Sequence, residues 1–288
     1  MLSEEISTVS APIERYYANS QGATLADAAL DLLAIEEPLE IRLEFESVGG
    51  PVKKSISVTM RTPGHDEVLA AGFLFTEGIL TSPAQIASIK ACGPQVGAHS
   101  GQNIVRVILA PGVVPPLAKL ERHFYTTSSC GICGKASLDA VLVRGVEKIA
   151  RDAVRISRGL VDDLPDILRA AQANFAATGG IHGAALVTNA GEVTATFEDV
   201  GRHNAVDKVI GSTFLEGVDC RDQLMVVSGR AGFELVQKSL VAGIPALLAI
   251  GAPSSLAVEL AQKFDMTLVG FMRHNRFNVY SGGWRIHG

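Results

Sequence analysis

Alternation marks the first readable element of the chain. Leu39, Ile41, Leu43 and Phe45 alternate with Glu40, Arg42 and Glu44, the period-two pattern of a strand with one buried face. Val48-Gly49-Gly50-Pro51 interrupts it, and Ile56, Val58 and Met60 then alternate again, so the two runs predict a hairpin. RTPGHDEVLAAGFLFTEGI follows, with Pro63, Gly64 and Asp66 ahead of an apolar helical run. NIVRVIL predicts another strand, APGVVPP a loop, and KASLDAVLV the start of a helix. The second half is more regular. LPDILRAAQANFAAT is amphipathic, AALVT and VTATF flank a turn at Asn189-Ala190-Gly191, and RHNAVDKVIGSTFLE reads as a helix. Short apolar runs then alternate with helices: LMVV before FELVQKSL, ALLAI before SLAVELAQKF, and finally MTLVGFMRHNR. Such alternation predicts parallel strands. The expected fold class is therefore α/β. Residues 151–288 are expected to form a three-layer αβα domain, residues 36–150 a smaller α+β domain, and residues 1–35 a flexible polar leader.

Composition narrows the picture without changing it. With 47% hydrophobic and 19% charged residues, the 288-residue chain is that of an ordinary globular protein. A net charge of −5 argues against a broad nucleic-acid surface but leaves room for a local basic pocket. The N-terminus has no basic stretch followed by an apolar one, and LVAGIPALLAIGAP is too short and too broken to span a bilayer. A cytoplasmic location is expected, with no membrane or nucleic-acid partner. Thiols there stay reduced, so a CxxC is more often a metal or reactive site than a staple.

In an open parallel sheet, ligands sit beyond the carboxyl ends of the strands. Those ends carry SGRAG, GAPSS and FMRHNR. The first two open helices, whose free N–H groups favour an anion, and the third adds Arg273 and Arg276. Glycine and serine that merely turn the chain, and solvated arginines, are the plainer account of each loop alone.

The stretch TTSSCGICGKAS holds two of the four cysteines, Cys130 and Cys133. Zinc needs four ligands; Cys92 and Cys220 stand alone, so one chain offers half a site, although two chains could share one. A thioredoxin-like disulfide would sit after an early strand, not in mid-chain after a Pro-rich loop. A nucleophilic thiolate fits the setting: both sulfurs precede a predicted helix start, with Lys135 adjacent. Cys92, Cys220, His65, His99, His123 and His287 lie in no comparable motif.

Together, SSCGICGKAS, RTPGHDEVLAAGFLFTEGI, GGIHGAAL, FEDVGRHNAVDKVIG, VVSGRAGFELVQK and FMRHNRFNVYSG resemble the formate dehydrogenase accessory sulfurtransferases, the FdhD/NarQ family, over residues 35–281. The resemblance implies a sulfurtransferase that takes persulfide sulfur from a cysteine desulfurase and passes it to the molybdenum bis(molybdopterin guanine dinucleotide) cofactor for formate dehydrogenase. It implies Cys130 as the persulfide carrier, assisted by Cys133. It assigns Phe271, Met272, Arg273, His274, Asn275 and Arg276 to the cofactor, and it implies a homodimer with a cytidine-deaminase-like C-terminal domain. Zinc deaminases place His-x-Glu at the first helix after the hairpin and Pro-Cys-x-x-Cys at the next. Here those places hold RHNAVD and SGRAGF, so no intrinsic metal is expected. The rival from another class is a cofactor-binding chaperone whose CxxC is structural or holds zinc.

Overall fold

The computed structural model describes residues 7–18, 24–95, 102–116 and 146–288. The alternating run forms β3, Glu37–Ser47, which pairs antiparallel with β4, Gly50–Arg61. Leu39, Ile41, Leu43 and Phe45 are buried, while Glu40, Arg42 and Glu44 share the opposite face. There Arg42 meets Glu40 at 2.7 Å and Arg106 meets Glu44 at 3.2 Å. Helix α1, Asp66–Thr76, covers the apolar face. Strands β5, Ile86–Gln95, and β6, Gln102–Leu109, complete a four-stranded sheet in the order β4-β3-β6-β5.

Two strands precede this sheet. β1, Thr8–Ala18, and β2, Thr24–Ala34, pair antiparallel over their whole length. Within 1–35, where a flexible leader is expected, residues 8–18 and 24–34 are strands. Alanine and leucine in TLADAALDLLA carry no strand period, and cross-strand pairing with β1 overrides local propensity.

The second half begins with β7, Ile156–Ser157, and helix α2, Arg158–Ala170. Ser157 caps α2 by accepting the Leu160 N–H at 3.1 Å. Then come the short helix α3, Ala173–Thr178, the hairpin β8, His182–Val187, and β9, Val193–Asp199, and helix α4, Arg202–Glu216. β10, Leu224–Val227, α5, Phe233–Val241, β11, Ala246–Ala249, α6, Ser255–Lys263, and β12, Thr267–Arg273, alternate as expected. β13, Arg276–Ser281, and β14, Ile286–His287, end the chain. The six-stranded sheet runs β13-β12-β11-β10-β8-β9, and β10, β11 and β12 are parallel. β10 and β11 are buried at every position because both faces are covered. Leu160, Val161, Leu164 and Leu168 of α2 pack on one face; α4, α5 and α6 pack on the other. The fold is thus mixed α/β with a three-layer second half. No helix among the described residues is long and apolar enough to cross a membrane.

Helices α1 and α4 join the two halves. At their crossing, a Cβ added to Gly72 would lie 1.9 Å from the Asp207 carbonyl oxygen, and one on Gly211 would lie 1.9 Å from that of Val68. Only glycine permits backbones this close. The approach also brings Thr76, Asp207 and Lys238 together in the interior.

Candidate functional site

The three strand-end loops meet. The Ala231 N–H donates to the Ala252 carbonyl at 3.1 Å, and the Ser254 N–H donates to Ala231 at 3.0 Å. The Gly251 N–H donates to Gly229, and the Phe271 N–H to Gly251, each at 3.0 Å. A Cβ on Gly251 would lie 2.7 Å from the Gly229 carbonyl oxygen, so the two backbones touch there. SGRAG, GAPSS and the end of β12 thus come together at the carboxyl end of the parallel strands, where ligands of open α/β sheets sit.

The stretch 271–276, expected to meet a ligand, spans the end of β12, a turn and the start of β13. A register shift between Gly270 and Arg273 places Phe271 at φ 55. A bulky residue in the left-handed region costs of order 1–3 kcal/mol and marks a position held for a purpose. The bulge leaves Phe271 40% exposed and sends Met272 into the core at 1%. The Met272 side chain is buried in the cluster that includes Leu160, Leu164 and Leu168 of α2. Phe271 in turn is no core residue.

Arg273 and Arg276 stand directly opposite across the His274-Asn275 turn, where Asn275 has φ 61. Like charges at paired positions repel. Among the described residues neither arginine has an acidic partner. Arg273 Nη1 donates to the carbonyls of Ile250 at 2.8 Å and Met272 at 2.7 Å, which ties the guanidinium to the end of β11. Guanidiniums without a carboxylate partner have the chemistry to fork onto the oxygens of an anion.

Sequence reasoning singled out GGIHG and VGRHN as motifs but gave their residues no role. His182 opens β8, which runs antiparallel to β10, so it lies at the same end of the sheet as the loops. His203, in the first turn of α4, has Nε2 3.0 Å from Glu234 of α5. Burial first, then Arg202, Lys238 and His182, push its pKa down to about 3, so a neutral imidazole donates to the carboxylate. The signal that could have found these residues is polar and ionisable side chains at strand and helix ends facing one edge of the sheet.

Cys130, Cys133 and Lys135 lie outside the described residues. The chain resumes at Val146 and reaches the opposite end of the sheet: Ile149 N–H donates to the Phe264 carbonyl at 2.9 Å, and buried Arg285 donates to Ala150 at 2.7 Å. Cys92 is partly buried and Cys220 buried; burial pushes the Cys220 thiol up, which makes it a poor nucleophile.

The fold defines an α/β protein whose strand-end loops meet beside a hairpin that carries two opposed arginines. The chain belongs to the FdhD/NarQ family, whose model matches residues 34–287. It is 51% identical over 260 residues to the "Sulfur carrier protein FdhD" of Streptomyces coelicolor, covering 89% of each chain. It is 44% identical over 260 residues to the protein of the same name from Thermoplasma volcanium, covering 90% of each. The crystal structure of a formate dehydrogenase accessory protein from Desulfotalea psychrophila superposes with a TM-score of 0.71 at 25% identity, over 96% of this chain and 99% of that one.

Proposed function

We propose that this chain is a sulfurtransferase of formate dehydrogenase maturation, carrying sulfur as a persulfide on Cys130. The observation that carries the reading is the 51% identity, along 89% of the chain, to a protein named as a sulfur carrier. A cysteine desulfurase supplies the sulfur. The Cys130 thiolate attacks the outer sulfur of the donor persulfide, that S–S bond breaks, and the donor cysteine leaves as thiolate. Cys133 then attacks the inner sulfur of Cys130. The outer sulfur departs as sulfide to the substrate metal, and a Cys130–Cys133 disulfide remains. The pair thereby supplies the two electrons that reduce sulfane sulfur to sulfide, and a cellular thiol restores the dithiol.

The acceptor is the molybdenum bis(molybdopterin guanine dinucleotide) cofactor, bound as substrate. Phe271 offers an exposed ring for the guanine base, and Arg273 and Arg276 offer guanidiniums for its phosphates. His274 and Asn275 shape the turn between them. The protein acts in the cytoplasm as a homodimer. Its second half is a deaminase-like scaffold in which His203 and SGRAGF stand where a zinc site would be.

Intact mass after incubation with a desulfurase and cysteine tests the sulfur half. Wild type is expected to gain one sulfur atom and Cys130→Ala none. Equal loading of Cys130→Ala, with formate dehydrogenase still activated, overturns the assignment. Calorimetry with guanosine diphosphate tests the groove. Arg273→Ala and Arg276→Ala are each expected to weaken binding roughly ten- to hundredfold, the loss of a hydrogen bond to a charged group. Persulfide loading should be untouched; unchanged affinity in both folded variants moves the ligand elsewhere.

A further inference from the structure

A second group of cations lies in the same groove and is not used by the Arg273–Arg276 hairpin. Gly183 N–H donates to Ser228 Oγ at 2.9 Å, and Ser228 N–H donates to the Gly183 carbonyl at 3.0 Å, which locks the start of β8 to the SGRAG loop. The His182 imidazole rests on Gly229: a Cβ there would lie 3.2 Å from Nδ1 and 3.8 Å from Cβ of Arg202. Arg230 is the next residue along the loop and is exposed. Burial first, then Arg202, hold His182 below the usual histidine range, with Arg230 adding to the effect and Asp199 opposing it.

The nearby carboxylates are engaged. Asp199 sits 2.9 Å from Lys208 Nζ and accepts from the N–H groups of Gly201 at 2.8 Å and Thr62 at 3.2 Å. Asn204 Nδ2 adds a fourth bond to Asp199 at 3.0 Å. Glu234 is held by His203. Among the described residues, Arg202 and Arg230 form no ion pair, and Arg202 Nε is buried without a hydrogen-bond partner. Helices α4 and α5 both begin beside this cluster with no side-chain cap. Two guanidiniums without an ion pair among the described residues thus both act on the His182 imidazole, near two helix starts with no side-chain cap.

This cluster is separated from Phe271. His182 lies on β8 and Phe271 on β12, and β11 and β10 stand between them. Three inter-strand steps of ~4.8 Å place the two ends about 14 Å apart.

We propose that His182, Arg202 and Arg230 form a second oxyanion site, so that the groove grips an elongated ligand at two negative points. The recognised chemistry is a compact tetrahedral oxyanion. A phosphoryl group and a metal-oxo group both have it. The inference rests on reading the groove as a ligand site and adds a second point of contact at its inner end.

The test is calorimetry on the full chain saturated with guanosine diphosphate, which fills the Arg273–Arg276 end. Orthophosphate and molybdate are the two probes. At least one is expected to bind with the nucleotide in place, and the preferred one identifies the source of the oxyanion. Arg202→Gln and Arg230→Gln should each weaken that binding about tenfold while leaving nucleotide affinity unchanged. Arg273→Gln should do the reverse. Arg230 is exposed, so its variant is expected to fold even where Arg202→Gln does not. In wild type, the anion should also raise the pKa of His182, followed by its imidazole resonances. Absence of binding by both probes, equal binding in the Arg202 and Arg230 variants, or displacement of nucleotide by the probe overturns the second site. The two readings fail separately. If nucleotide does not bind but phosphate or molybdate binds through Arg230, the second site stands and the guanine end falls.

Discussion

Asp207→Ala is expected to destabilise the folded chain by about 3–5 kcal/mol, the cost of leaving a buried charge without its partner. Lys238 Nζ sits 2.9 Å from both carboxylate oxygens of Asp207, 3.0 Å from Thr76 Oγ1 and 3.7 Å from Glu77. The Thr76 hydroxyl donates in turn to Asp207 at 2.9 Å. Both charged side chains are almost wholly buried. Burial alone would lower the Lys238 pKa, but attraction to Asp207 and Glu77 more than offsets it and raises it above the ordinary lysine value. The ammonium therefore stays charged and depends on its partner. Because the folded Lys238 pKa is raised, its share of the stabilisation is present below the unfolded value of ~10.4 and is lost as pH rises through the folded one. Burial pushes the Asp207 carboxyl up, so the ion pair is also lost when acid protonates Asp207. Urea unfolding of Asp207→Ala should show the loss in full. A paired Asp207→Leu/Lys238→Met variant should recover most of it, because neither charge is then desolvated. A loss below about 1 kcal/mol in the single variant would show that the pair is better solvated than its burial implies.

Gly211→Ala is expected to cost about 3 kcal/mol, the upper end of the range for overpacking. The new methyl would meet the Val68 carbonyl oxygen at 1.9 Å, the Gly72 nitrogen at 2.7 Å and the Val68 carbonyl carbon at 2.8 Å. All three are backbone atoms, so no rotamer change can make room, and α1 must move away from α4. That movement would also stretch the Thr76–Asp207 contact. Gly72→Ala meets the Asp207 backbone in the same way and should cost a similar amount. Once either methyl has separated the helices, the second has little more to displace. The double variant should therefore lose clearly less than the sum of the single losses. Strict additivity, measured by denaturant unfolding, would mean that each helix relaxes independently and that the crossing is not the common cause.

Much of the strand-end arrangement was legible in the sequence. Apolar runs followed by Ser and Gly gave SGRAG and GAPSS as strand ends that open helices, and these loops do meet. FMRHNR was legible as a cationic terminus, and its two arginines do face one another across a tight turn. What a period-two reading cannot anticipate is the bulge at Phe271, which leaves Phe271 exposed and Met272 buried. The β1–β2 hairpin was missed because its strands carry no alternating apolar face. The helix crossing had a local signal that went unused: a glycine inside a helix costs about 1 kcal/mol relative to alanine, and both AAGF and VIGS keep one.

The sequence by itself determined the class of the fold and, apart from the β1–β2 hairpin, the main described elements that follow residue 36. Periodicity is a local property, and burial on one face or on both leaves its imprint within a few residues, as β3 and β10 show. Its motifs also determined the family. The tertiary structure alone decided which ionisable groups share a site. His182, Arg202 and Arg230 stand at the ends of three different elements, and nothing local to any of them encodes the other two. The antiparallel course of β8 against β10 puts His182 at the same end as Arg230, and the start of α4 brings Arg202 over Gly229. Lys238 likewise finds Asp207 only because two glycines let α1 and α4 touch. Charge pairing acts through space over a few ångströms, and that proximity comes from sheet order and helix packing.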